Sequence, residues 1–189
     1  VPDTVYLGKE VSLYHEIINI GKTPAIGTRR DAYYFGNSTT YNGATDQLLG
    51  FDDIYTSLQP DSTTSGLITK RVTNVNAGNY YGITRINTKG TLFETDYSNN
   101  DSTGGTVYVD AIKLPLGIAK NDTLDLHRPL YYKVDVAAGL DLRITLNSSE
   151  TATGTNEIYV AYNRVPTAVD FDFKQLSPTG LNQTALISN

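Results

Sequence analysis

Cysteine, methionine and tryptophan are all absent from this chain of 189 residues. Without cysteine there is neither a disulfide framework nor a thiolate nucleophile. Without cysteine or methionine the chain has no readily oxidised sulfur, which suits long exposure outside a cell. No run approaches the ~18 consecutive apolar residues of a membrane span. Positive charge is sparse: 15 Lys and Arg stand against 20 Asp and Glu, a net charge of −5. No basic cluster marks a nucleic-acid partner. No signal peptide is visible, as expected of an internal or mature piece. Catalytic patterns are missing too. His15 and His127 fit no H-E-x-x-H zinc motif, and there is no G-x-S-x-G elbow and no phosphate-cradling loop. His15 follows Val11 and Leu13 with period two, so it reads as a strand residue. These absences point to a protein that is not an enzyme and needs no cofactor.

Strand and turn formers dominate instead. There are 14 tyrosines against 5 phenylalanines, and 16 glycines, and threonine, serine and asparagine are frequent. This composition favours strands and turns over helices. An apolar content of 39% suffices for packed cores, and the length allows one or two domains. Strand-like runs recur at short intervals, the pattern of sandwiches rather than βαβ units. In the first half they cover residues 11–18, 31–35, 65–72, 80–87 and 106–109. In the second they cover 130–136, 140–146 and 157–162. Residues 140–146 alternate cleanly, with Leu140, Leu142, Ile144 and Leu146 on one face and Asp141, Arg143 and Thr145 on the other. A proline-containing bridge, Lys113-Leu114-Pro115-Leu116-Gly117, changes the rhythm, and the boundary falls near 110–113.

Several ordered segments carry a resemblance in the first half. They are Ile18-Asn19-Ile20-Gly21 with Thr23-Pro24-Ala25, Asp46-Gln47-Leu48-Leu49-Gly50, Ser57-Leu58-Gln59-Pro60, Ala77-Gly78-Asn79-Tyr80-Tyr81-Gly82-Ile83, and Phe93-Glu94 leading to Asn99-Asn100. Together they resemble the cell-adhesion-related domain found in bacteria, which implies an immunoglobulin-like sandwich from a large secreted or surface protein. The first strand of that pattern is missing. In the second half, Leu114-Pro115-Leu116, residues 131–146, 156–160, Val165-Pro166-Thr167 and Phe171-Asp172-Phe173 resemble the bacterial pre-peptidase C-terminal domain. That family implies a small jelly-roll-like sandwich, and its usual last strand is absent here. The expected fold is all-β: two β-sandwich domains in series, immunoglobulin-like over 1–110 and jelly-roll-like over 111–183, with 184–189 a linking or donated strand.

The polar residues have structural readings first. Asn19 and Gly21 suit an Asx-type turn. Glu94, Asn99 and Asn100 can satisfy backbone groups in the loop before the last strand of the first half. Asp96 and Asp101 are the sharper alternative there, as calcium ligands. Asp170 and Asp172 flank Phe171 and share a strand face. Such a pair serves calcium binding or glycoside hydrolysis, although a solvated face is the plainer reading. Asp52 and Asp53 would point to opposite sides if they lay in a strand, which weakens them as a pair. Asn-x-Ser/Thr sequons begin at Asn37, Asn100, Asn121, Asn147 and Asn182. Their number is close to chance, so glycosylation is permitted rather than indicated.

The two ends read as halves of one sentence. Thr184, Ala185, Leu186, Ile187, Ser188 and Asn189 form a strand-like run without a closing turn, and Val1-Pro2-Asp3 opens without the strand expected before it. The sequence reading therefore has 184–189 stay out of its own core and pair beside residues 11–18 of the next unit; how the second domain is completed stays open, with 1–7 of a neighbouring unit as one candidate. On this reading the chain is a non-catalytic repeat of an extracellular filament, stalk or giant adhesin, secreted or on the cell surface. Its partners are copies of itself, joined head to tail, by covalent tandem repetition or by strand donation. The alternative is a non-catalytic accessory module of a secreted enzyme that binds glycans through exposed tyrosines.

Overall fold

A computed structural model describes residues 2–149, 154–175 and 179–188. Among them are thirteen strands and no helix. The fold is all-β. No helix of the described residues is long and apolar enough to cross a membrane. The chain divides into two compact units: residues 1–112 with 122–131, and residues 113–121 with 132–189. Residues 122–131 thus return to the first unit, beyond the single crossing expected near 110–113. Lys9 Nζ meets Asp122 at 3.4 Å there. The turn into β2 also needs Gly8: φ is +75°, and a Cβ would sit 2.8 Å from the Pro129 carbonyl oxygen.

Unit 1 is a sandwich. Its larger sheet has the order β1 (Thr4–Tyr6), β7 (Asp101–Asp110), β6 (Gly78–Arg85), β3 (Ala25–Gly36) and β4 (Gln47–Leu58). Its smaller sheet pairs β2 (Glu10–Ile18) with β5 (Thr63–Arg71), antiparallel over nine positions. Alternation explains the layers. β2 turns Val11, Leu13, His15 and Ile17 inward and Ser12, Tyr14, Glu16 and Ile18 outward. Across the gap, β3 buries Tyr33 and Phe35, β6 buries Ile83 and β7 buries Val107 and Val109. The His15 and Tyr33 rings, one from each sheet, lie 6.3 Å apart. Asp52 and Asp53 diverge across β4 as alternation requires: Asp52 meets Lys70 at 2.6 Å and Asp53 meets Arg30 at 2.6 Å.

The amino-terminal segment is part of this sandwich. β1 runs parallel to β7, with Val5 opposite Val109, and Val5 and Leu7 are buried. The apolar residues of 1–7 thus fill unit 1, which counts against their serving as the strand that completes a neighbour's second domain.

Unit 2 is built from short ladders. β10 (Leu142–Leu146) pairs antiparallel with β13 (Gln183–Ile187), and β11 (Tyr159–Val160) with β12 (Phe173–Lys174). β8 (Ile112–Lys113) and β9 (Tyr132–Lys133) form the third pair, extended by Leu114 N–H donating to Lys133 O at 2.8 Å. The strand expected over 130–136 shrinks to two residues, and 157–162 likewise. The expectation that 184–189 stays out of its own core is also corrected. Ala185 and Ile187 are buried in unit 2, at 0% and 4% exposure, against β10. The alternation of Gln183, Ala185 and Ile187 gives the segment one inward face, and residues 142–146 supply its partner edge. Asn189 lies outside the described residues.

Candidate strand-accepting groove

In unit 1 the smaller sheet leaves one edge of β2 open. Among the described strands, β2 is bonded to β5 alone. In an immunoglobulin-like sandwich a further strand belongs on this edge. Burial fades along the inward face: Val11 and Leu13 are buried, His15 and Ile17 only half-buried. Beyond Leu13 lies a groove of about 1000 Å³. One wall is the second half of β2 and the turn after it. The opposite wall includes Gly82, Ile83 and Thr84 of β6 with Ser102 and Gly104 of β7, and residues 92–96 and the Arg29 and Asn87 side chains also line the groove. Ile18, Ile20 and Phe93 are 53%, 65% and 91% exposed.

Two local features keep the groove open. β7 carries one extra residue against β6, since Tyr81 faces Thr106 but Ile83 faces Thr103. Such a bulge bends the strand and interrupts its pairing. The side chains of the opposite wall are also small, apart from Ile83. Glycine, threonine and serine are too short to reach across to β2. A strand edge with unpaired N–H and C=O groups beside an apolar slot is the geometry that strand addition uses.

A polar cluster sits at the other side of the lining. Arg29 and Asp31 are two residues apart on β3 and so share its inward face. Arg29 Nε donates to both Asp31 oxygens, at 3.1 and 3.0 Å, with the pair 4% and 0% exposed. Asp31 also accepts the Asn87 backbone N–H at 3.1 Å. The Asn87 amide donates to Leu92 O at 2.8 Å and to Glu94, and Asn100 Nδ2 donates to the same Glu94 oxygen at 3.2 Å. Glu94 and Asn100 thus organise the loop, largely through side-chain amides. The pattern suits a rigid frame: a buried ion pair holds when its remaining lone pairs are satisfied. Two inner polar atoms, His15 Nδ1 and Tyr33 Oη, lack a protein partner. Burial raises the Tyr33 phenol well above its ordinary value, so it stays neutral.

The remaining candidates lie elsewhere. Asp96 Oδ1 accepts the Ser98 hydroxyl at 2.6 Å and the Ser98 N–H at 2.8 Å, which hold its carboxyl below the usual range. Asp101 meets Arg85 at 2.6 Å. Asp170 and Asp172 are brought together, but by a cation: Arg164 reaches them at 2.9 and 2.8 Å. Arg164 and the Tyr162 N–H hold the Asp172 carboxyl below the usual range. Among the described residues, no three His, Cys, Asp or Glu side chains gather as metal ligands. Asn37, Asn121, Asn147 and Asn182 are exposed, whereas Asn100 is 8% exposed with its amide engaged. Asn100 is therefore corrected as a glycan acceptor in the folded unit: there is no room for a sugar. The turn after β2 is as read, with Asn19 Oδ1 accepting the Gly21 N–H at 3.0 Å.

Sequence reasoning missed the Arg29–Asp31 pair and the whole of β4. The i, i+2 spacing of opposite charges was the available signal for the first. The Phe51, Asp53, Tyr55 alternation was the signal for the second.

No family model matches the chain, and no curated protein matches it. Among solved structures, the CARDB domain of a Pyrococcus furiosus protein, solved in complex with di-metal ions, is similar. The likeness is at 19% identity over 58% of this chain and 81% of that domain, with a TM-score of 0.41. The sandwich assignment of unit 1 stands on its own sheet order and burial.

Proposed function

We propose that the chain is a non-catalytic structural repeat of an extracellular filament, stalk or giant adhesin, and that the open edge of β2 takes a strand from a neighbouring copy. The observation that carries this reading is the free β2 edge beside a groove in unit 1 whose lining mixes apolar side chains such as Leu13, Ile17 and Ile83 with polar ones. The donor is the 183–188 segment of another copy. It is uncharged, and it alternates Gln183, Ala185 and Ile187 with Thr184 and Leu186. In a single chain it is held by one five-residue ladder with β10 and by the burial of Ala185 and Ile187. Moving to β2 exchanges that ladder for another, and the burial of Ala185 and Ile187 in unit 2 for burial in the groove. Each new backbone hydrogen bond contributes roughly 0.5–1.5 kcal/mol net. Association entropy opposes this, so a long polymer requires many junctions or covalent tandem linkage. Extracellular placement is supported by the sulfur-free, acidic composition.

The test uses a fluorescent peptide of residues 181–188, added to the full chain, with anisotropy and hydrogen exchange as readouts. Saturable binding that protects amides of residues 14–18 supports the proposal. Ile17→Lys should abolish it without unfolding unit 1, because Ile17 is only half-buried. Absence of binding, together with particles that stay single in electron micrographs at high concentration, overturns it.

A further inference from the structure

We propose that Tyr34 and Tyr41 are a built-in oxidative cross-linking site, joining as an intramolecular dityrosine when unit 1 meets a one-electron oxidant such as a peroxide-driven haem peroxidase. In a chain without Cys, Met or Trp, the phenols are the most easily oxidised side chains. Among the ring contacts of the described residues, this is the one that joins two phenols: the centroids are 4.8 Å apart and the planes cross at 57°. The remaining contacts pair tyrosine with histidine or phenylalanine.

The pair is held in place from several sides. Tyr34 sits on β3, opposite Ile83 of β6 and Leu48 of β4. Tyr41 lies in the turn that follows. A Cβ on Gly43 would come 2.9 Å from the Tyr41 hydroxyl, so that glycine makes the room the phenol occupies. The Arg85 guanidinium stacks 3.8 Å above the Tyr41 ring and is itself fixed by Asp101 at 2.6 Å. Burial and the hydroxyl of Tyr41 push the Tyr34 phenol up to about 12. The carbons that couple are those ortho to each oxygen, and a centroid separation of 4.8 Å puts the two rings within van der Waals contact of each other. Both rings are half-buried, so a small oxidant or an electron-transfer partner reaches them while other chains do not pack between them.

The chemistry balances without any group from the chain besides the two phenols. Each gives up one electron and its hydroxyl proton. The radicals join through their ortho carbons, and the hydrogen on each of those carbons moves to restore the phenol. Two hydrogens leave in total and reduce one peroxide to two waters. The product ties the turn after β3 back onto the strand.

The full chain is treated with peroxidase and limiting hydrogen peroxide at neutral pH, then read by dityrosine fluorescence and by peptide mapping of the monomer fraction. The expected product is lighter by two hydrogens and maps to Tyr34 and Tyr41. Tyr34→Phe and Tyr41→Phe, which keep the rings and should keep the far-ultraviolet spectrum, each lose it. Tyr55→Phe, at a phenol 70% exposed, keeps it. A cross-link mapping to other tyrosines, one found only between molecules, or equal yield from the chain unfolded in urea would overturn the proposal.

Discussion

The two units spend similar kinds of residue very differently. In unit 1, every strand from β2 to β7 has eight to twelve residues and runs in long register, and Tyr33, Phe35, Val72 and Val109 are wholly buried. In unit 2, strands run from two to five residues, and the buried apolar residues among those described are Ala185 and Ile187, beside buried Gln175 and Gln183. Leu140, Tyr162 and Val169 of unit 2 are 57%, 58% and 94% exposed. Alternation is present in both halves of the sequence. What differs is whether each alternating run finds a partner of matching length. A clean inward face gives stability only when a second sheet covers it.

The largest expected effect breaks unit 1 from inside. Asp31→Ala leaves Arg29 buried without its partner, at a cost of about 3–5 kcal/mol. Hydrogen exchange should show protection lost across β3 and β6. Equal loss across β10 and β13 would break the contrast between the units.

A smaller effect is expected in unit 2. Ile187→Ala should cost about 2 kcal/mol, the low end for such truncations, because sparse surroundings collapse into the space more easily. Peptides spanning β10 should lose protection while β2 and β5 keep theirs. A cost as large as that of Asp31→Ala would mean unit 2 is packed as tightly as unit 1.

The smallest effect concerns pH, and it sharpens the same contrast. Hydrogen-bonding partners lower the carboxyls of Asp53 and Asp96 in unit 1 and of Asp135 and Asp172 in unit 2. A lowered carboxyl stabilises the fold above its unfolded value of about 4, and this is lost as pH falls. Acid should therefore weaken both units. Alkali should discriminate. Burial raises the phenols of Tyr33, Tyr34, Tyr80 and Tyr131 in unit 1, against Tyr159 in unit 2. Their contribution is whole below about 10, the unfolded value, and is lost as pH rises beyond it; for Tyr34 the loss extends to about 12. Circular dichroism with exchange mapping from pH 7 upward should find unit 1 yielding first.

Much of unit 1 was legible because its signals are local. β2 follows from Val11, Leu13, His15 and Ile17, and the Asn19 turn from the side chain's short reach. β4 was not legible for the opposite reason. Its pairing with β3 shifts register between Tyr33 and Tyr34, and its acidic residues make sense only through Arg30 and Lys70 on other strands. Arg29 and Asp31 look like a wet face until Asn87 is seen beneath them. The groove is harder still, since it consists of a strand that is not there. The carboxy-terminal run was legible as a strand, but its pairing with β10 in its own chain was not, because nothing in 183–187 distinguishes the β10 edge from any other.

The parallel contact of β1 with β7 has a mechanical consequence. Consider tension applied through the chain before Thr4 and after Asp110. In a parallel pair these two points lie at opposite ends of the ladder, so the pull runs along the strands. The Leu7 N–H to Asp110 O and Tyr108 N–H to Asp3 O bonds, both 2.8 Å, and the ladder between them, in which Val5 faces Val109, then bear the load together. An antiparallel hairpin pulled from its open end would instead give way one bond at a time. Unit 1 thus carries, in β1 and β7, a clamp that tension along this direction loads in shear.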